Sequence, residues 1–335
     1  MSATEIFFAK RPTGPIVPGE TFSTRTIPMP TLGENQVLVE ATILSIDPIL
    51  RLWLDGGDFM PVPVGSCPPS YIAGRVVAST ADSVPVGTLG IAWSGWASHV
   101  VVDAARFESF SLPEGMEEAE ILGILGGTGL TAYFSTMRSL KPKKGEVIVV
   151  SAAAGAVGSV VAQLAKAQGA ARVVGITGSD DKCAWLKDYL GLDEAVNYKA
   201  PDFKQQFAKA VEGGIDAYFD NVGGEQLELA MEHMKAEGRI TICGQLSSYS
   251  DKNHTGVRNM HLVFEKALRI SGFNIFYYLH EAASAREDLS RLYLEGKLRG
   301  ATTIRRGGLE DAGSALAALL AGENKGKLLL DLRHA

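Results

Sequence analysis

Gly155 and Gly158 stand three residues apart where an apolar run gives way to an amphipathic pattern. The run Glu146-Val-Ile-Val-Val-Ser151 reads as a strand, and Val157, Val160, Val161, Leu164 and Ala167 share one face of a helix after it. A strand, a small-residue turn and a helix present free backbone N–H groups and a positive helix end to an anion such as a pyrophosphate. Gly155 lets the backbone approach the phosphates, and Gly158 lets the helix pack against the strand. Ala153 replaces the first glycine of the usual G-x-G-x-x-G, so the turn reads A-x-x-G-x-x-G. Ala153, Gly155, Ala156, Val157 and Gly158 are the residues expected to cradle the pyrophosphate.

The next chemistry lies at the end of the following strand. In dinucleotide sites an Asp or Glu about 20 residues past the turn holds the adenosine ribose hydroxyls. Here Val173–Ile176 runs into Thr177-Gly178-Ser179, with Asp180 and Asp181 slightly late and Lys182 behind them. A lysine with small hydroxyl residues and no carboxylate at the tip suits a 2′-phosphate, which a carboxylate would repel. The same residues also serve as a helix cap with Lys182 on the exposed face, and the two roles are compatible. This favours NADPH over NADH.

Metal chemistry finds less support. Cys67, Cys183 and Cys243 are isolated, without C-x-x-C spacing, which argues against a disulfide framework and a cysteine-rich zinc site. His99 and His233 read as packed or surface groups, and His254 and His261 as residues of an exposed polar loop. No metal site is assigned.

Two domains are needed to position these groups. A chain of 335 residues, 46% hydrophobic and 21% charged, is an ordinary globular composition with room for two cores. Net charge is −6 without a basic cluster, so neither nucleic acid nor an anionic membrane is an expected partner. No apolar run reaches the roughly 18 residues of a membrane helix. The segment Met1-Ser-Ala-Thr-Glu-Ile-Phe-Phe8 lacks the charged and apolar regions of a signal peptide, and a reducing cytoplasm is the expected compartment.

Short runs (36–41, 72–78, 88–93 and 97–102), punctuated by Pro and Gly, predict a β-rich, partly open barrel or sandwich-like first domain. From about Lys144, strands alternate with helices. Strands are predicted over 147–151, 172–176, 195–197, 217–220, 239–243 and 269–272, and helices over 156–168, 180–190, 202–212, 225–235 and 258–266. This is a doubly wound parallel sheet of the dinucleotide-binding type. After a helix near 282–295, residues 302–305, 310–321 and 327–332 predict a strand, helix and strand that return to the first domain. The resulting domains are 1–124 with 303–335, and 125–302, with a ligand cleft expected between them. Arg51 anchors such a cleft or pairs with Asp47 or Asp55. Trp53, Phe59, Phe273, Phe276, Tyr277 and Tyr278 read as core or interface aromatics.

The segment Ser151–Leu186 resembles the zinc-independent branch of the medium-chain dehydrogenase/reductases, within it the prostaglandin reductase, leukotriene 12-hydroxydehydrogenase, plant double-bond reductase and curcumin-reductase-like group. The likeness spans nearly the whole chain. It is carried by Leu44-Ser-Ile-Asp-Pro48 with Arg51, Gly129-Leu-Thr-Ala-Tyr133, Val196-Asn-Tyr-Lys199, Tyr218-Phe-Asp-Asn-Val-Gly-Gly224, Ile242-Cys-Gly-Gln-Leu-Ser247 with Tyr249, Gly272-Phe273, and Gly322-Glu-Asn-Lys-Gly-Lys-Leu328.

The resemblance implies a Rossmann domain beside a GroES-like domain. It also implies an NADPH-dependent, zinc-independent enzyme that reduces the C=C bond of α,β-unsaturated ketones and aldehydes, commonly as a homodimer. Hydride would reach the β-carbon, with Tyr249 and the cofactor ribose stabilising the enolate. It further implies that Gly178, Ser179, Lys182 and Tyr198 surround the 2′-phosphate, and that Asn221, Cys243, Phe273 and Asn324 lie along the cofactor. Ile49 and Arg51 would border the substrate. Ile49 departs from the tyrosine usual in the group, and Gly126-Gly-Thr-Gly129 departs from its commoner small-Pro-Gly. Rival readings are a quinone reductase on the same scaffold and a non-catalytic nucleotide-binding protein.

Overall fold

Residues 2–57, 60–249 and 256–333 are described in the computed structural model; Phe59 and His254 lie outside them. The chain divides into one unit of Met1–Leu122 with Thr302–Ala335 and a second of Gly123–Ala301.

The second unit is built on Val147–Val150, where Ile148, Val149 and Val150 are fully buried. A strand apolar on both faces belongs inside a parallel sheet covered by helices. The six strands run in the order Glu194–Asn197, Arg172–Thr177, Val147–Val150, Ile215–Asp220, Met234–Ile242 and Arg269–Gly272, every neighbour parallel. This is the doubly wound order, with its topological switch beside Val147–Val150. Helices Ala156–Ala167, Asp180–Asp188, Phe203–Ala210 and Gly224–His233 make the crossovers. Val149, Ile176, Phe207, Tyr218, Met231 and Ile240 belong to one core.

The strand predicted over 239–243 is longer, Met234–Ile242, and the preceding helix stops at His233. Met234 pairs with Ile215, but Arg239 already pairs with Ala217. The residues between them bulge out of register, with Glu237 at φ +59° and its N–H on the Lys266 carbonyl at 2.7 Å. Lys-Ala-Glu reads as helix by composition, and this tertiary pairing overrides it.

In the first unit, Gln36–Ser45 pairs antiparallel with Pro69–Ser79, which pairs with Leu89–Gly95. His99–Asp103 lies against the start of Gln36–Ser45. Lys327–Asp331 lies against its end, antiparallel, and Thr302–Arg306 runs parallel beside that last strand. The final segment therefore completes the sheet begun by the first hundred residues. Ser2–Phe8 and Phe22–Pro28, not anticipated as strands, form a separate antiparallel pair whose Ile6, Phe8 and Phe22 join Leu44, Trp96 and Leu316 in the core. No helix among the described residues is long and apolar enough to cross a membrane.

Candidate cofactor and active site

The turn after Val147–Val150 closes through short backbone bonds. Ala153 donates its N–H to the Ile176 carbonyl at 3.0 Å, and Gly155 donates to the Ala152 carbonyl at 2.9 Å. A Cβ on Gly158 would collide with the Ala152 carbonyl and lie 2.9 Å from the Cα of Ala153, so only glycine lets the helix start this close to the strand. Ala153 is fully buried. Its methyl stands where a Cβ on Gly175 of the adjacent strand would come within 2.9 Å. The missing first glycine is thus compensated by a glycine one strand away.

Helix Ala156–Ala167 begins at Gly155 with no side-chain cap, unlike helix Asp180–Asp188, where the Ser179 hydroxyl accepts the Lys182 N–H at 3.3 Å. The first helix therefore has no side chain spent on its N-terminal N–H groups, the arrangement expected where a phosphate is to bind.

The ends of the next two strands meet at Gly178 and Tyr198. A Cβ on Gly178 would lie 3.0 Å from Tyr198 Cε1 and 3.3 Å from its hydroxyl. Tyr198 donates its N–H to the Thr177 carbonyl at 2.9 Å, and its ring is 43% exposed with the Lys199 ammonium 5.8 Å from its centre. Asp180, a carboxylate that would oppose a 2′-phosphate, accepts a bond from Asn197 Nδ2 at 2.8 Å. Gly178 and Tyr198 thus come together at the ends of neighbouring strands, with the Ser179 hydroxyl on the Lys182 N–H and the Lys199 ammonium near the aromatic face. They fit a phosphorylated adenosine.

Asp220, quoted only within a motif from the sequence, organises the centre. Its carboxylate is fully buried and accepts from the Ser151 hydroxyl at 3.1 Å, the Tyr218 hydroxyl at 3.2 Å, the Val222 N–H at 3.1 Å and the Gly223 N–H at 3.0 Å. Burial raises its carboxyl above the usual range, and these donors oppose the rise. Asn221 donates its backbone N–H to the Ser151 hydroxyl at 2.8 Å and Nδ2 to the Ser151 carbonyl at 2.7 Å. The Asp220 carbonyl receives the Cys243 and Gly244 N–H groups at 2.8 and 3.2 Å. One residue thereby ties the glycine turn, the Asn221 turn and the loop after Met234–Ile242.

That loop carries Tyr249. Its hydroxyl lies 3.4 Å from where a Cβ on Gly244 would stand. Burial raises its pKa, the neighbouring Cys243 adds to the rise, and a backbone hydrogen bond from Gln245 opposes it. The phenol stays protonated at neutral pH and can donate. Burial, with the charge of Asp220 adding to it, pushes the Cys243 thiol up to about 12. Phe273 donates its N–H to the Ile242 carbonyl at 2.9 Å, and its ring stacks on Tyr278 at 5.4 Å between centres.

In the first unit, the Asn324 amide is buried and donates Nδ2 to the Gly326 carbonyl at 2.6 Å. Ile49 is half-buried against the core and opens the short helix Ile49–Leu54. Arg51 is 3% exposed and holds the Asp55 carboxylate and the Gly14 carbonyl, so of the partners considered it takes Asp55. Asp47 instead pairs with Lys327 at 2.6 Å, a buried ammonium that sequence reading passed over. Among the described residues, no three His, Cys, Asp or Glu side chains are grouped to hold a metal ion.

Two family models match the chain, "Zinc-binding dehydrogenase" over residues 156–291 and "N-terminal domain of oxidoreductase" over residues 4–110. Prostaglandin reductase 1 of Bos taurus is 37% identical over 317 residues, covering 92% of this chain and 93% of that protein. The (+)-pulegone reductase of Mentha piperita is 36% identical, covering 91% and 90%. The crystal structure of CurA in complex with NADPH from Vibrio vulnificus superposes with a TM-score of 0.92 at 32% identity, covering 99% of this chain and all (100%) of that one.

Proposed function

This chain belongs to the zinc-independent medium-chain dehydrogenase/reductases, and on that premise we propose that it uses NADPH to reduce the activated C=C bond of α,β-unsaturated ketones and aldehydes. The observation that carries the reading is the pairing of an uncapped, glycine-lined helix start with a buried, protonated tyrosine on the loop tied to it through Asp220.

When bound, NADPH would supply the hydride that adds to the β-carbon of the acceptor, and the enolate would then take a proton from solvent at the α-carbon. The chain's own residues do the rest. Backbone N–H groups of Ala156, Val157 and Gly158 take the pyrophosphate, and Lys182, with the Tyr198 face, takes the 2′-phosphate. By the family resemblance, Asn221, Cys243, Phe273 and Asn324 would fall along the cofactor. The Tyr249 hydroxyl donates to the carbonyl oxygen as it becomes an enolate, and a preoriented donor of this kind contributes about 2.7–4 kcal/mol. Burial holds the phenol neutral, so the hydrogen bond is available throughout the neutral range.

The enzyme works in the cytoplasm, a compartment suited to three free cysteines. It works as a homodimer. The outer strand Arg269–Gly272 is exposed along its length, with Ile270, Phe276 and Tyr277 uncovered around it, and such an edge favours a second copy of the chain.

One preparation supplied in parallel with NADPH and NADH, and with an alkenal, a cyclic enone and a quinone, tests the reading. The expected product is the saturated carbonyl compound, formed faster with NADPH. Allylic alcohol as product, or turnover of the quinone alone, would overturn it.

A further inference from the structure

Lys327 is 3% exposed, and a buried ammonium is costly unless it is paired. Burial lowers its pKa, and Asp47 opposes that shift. Its Nζ donates to the Ile46 carbonyl at 2.8 Å and to Asp47 Oδ1 at 2.6 Å, and the Ser45 hydroxyl donates to Asp47 Oδ2. The last strand pairs Leu329 with Ser45, which continues to place Lys327 opposite Asp47. Ile46 donates its N–H to the Leu328 carbonyl at 3.2 Å, and Ser70 Oγ donates to the Ser45 carbonyl at 2.6 Å. The far end of the same segment is held by Arg51 on Asp55. Between the two ion pairs stand Pro48 and Ile49, and Leu50 donates its N–H to the Asp47 carbonyl at 3.2 Å.

A methionine could fill this space without the desolvation cost, so the charge serves orientation. An ammonium bonded to both a carbonyl and a carboxylate of consecutive residues accepts one placement of that loop. We infer that Lys327 and Asp47 are a positioning pair: they fix the Ser45–Asp55 loop, and with it Ile49, the residue that by the family resemblance would border the acceptor. The inference rests on the functional reading above. The pair acts on acceptor binding and leaves NADPH binding alone.

The test uses the full chain with Lys327→Met, Asp47→Asn and the double variant, and with cyclohex-2-enone and trans-2-nonenal as acceptors. Each single variant is expected to raise the nonenal KM about tenfold or more while kcat and the NADPH Kd move less than about twofold. Amide exchange is expected to accelerate over 46–54 and to stay unchanged over 147–167. The double variant is expected to be no worse than Lys327→Met, because the two charges act as one unit. Should Lys327→Met fail to fold, Asp47→Asn carries the comparison, since Asp47 retains 27% side-chain exposure. Unmoved KM in the variants, or NADPH Kd rising in step with KM, overturns the inference. A wild-type protein that binds NADPH but reduces neither acceptor overturns the functional reading, and this inference with it, before any variant is made.

Discussion

The hydroxyl of Ser151 stands 3.1 Å from the carboxylate of Asp220 and receives the Asn221 N–H at 2.8 Å, so it is both donor and acceptor in one buried ring. Ser151→Ala removes a donor from a fully buried carboxylate and orphans a buried N–H. The expected cost is about 1–3 kcal/mol, read as a lower urea midpoint with unchanged slope. NADPH affinity is expected to fall as well, because the Asn221 turn loses its anchor.

Tyr249→Phe removes the proposed enolate donor and, with the same oxygen, its contact with the Gln245 backbone. Turnover with a good enone should drop about 10²–10³-fold, with NADPH Kd within about twofold of wild type. Stopped-flow oxidation of NADPH alongside fluorescence titration separates the two quantities. Unchanged turnover would remove Tyr249 from the mechanism.

Gly178→Ala places a methyl 3.0 Å from the Tyr198 ring. Because that ring is partly exposed, it can swing aside, and stability should change by less than about 1 kcal/mol. The displaced ring no longer backs the 2′-phosphate, so NADPH binding weakens while NADH binding holds. Lys182→Ala should narrow the preference in the same direction. Competitive titration with both coenzymes measures each effect.

The three thiols should label in a fixed order. Burial pushes Cys67 and Cys243 up to about 12, whereas Cys183 is raised less and is less buried. Thiolate is the reactive form, so at pH 8 only about one in 10⁴ of a thiol titrating near 12 is ionised, and reactivity climbs with pH. Iodoacetamide followed by peptide mass analysis should find Cys183 modified first. Early loss of Cys243 would contradict the buried placement of the loop bearing Tyr249.

Much of this architecture is written locally in the chain. The run 147–150, the small turn and the face at Val160, Val161 and Leu164 carry their own periodicity, and they fold as read. The last strand is legible because Leu328, Leu329 and Leu330 are continuously apolar. What local pattern cannot carry is pairing across distance. Phe22–Pro28 has mixed, mostly exposed residues and becomes a strand only against Ser2–Phe8. Asp220 looks like one more polar residue in a turn until Ser151, 69 positions earlier, is brought beneath it. Lys327 opens a strand as surface lysines often do, and only the partner 280 residues away turns it inward. Gly178 and Tyr198 likewise each resemble turn residues until the parallel pairing of their strands stacks one on the other.

The exchange of glycine between Ala153 and Gly175 bears on how such turns are recognised. A fingerprint written along one stretch of chain counts the alanine as a defect. Written across two neighbouring strands, it is a conserved volume, one methyl present and one withheld. Redesign of this turn therefore has two coupled letters: enlarging either 153 or 175 crowds the other, and a side chain at 175 must also clear Leu186 and Leu192.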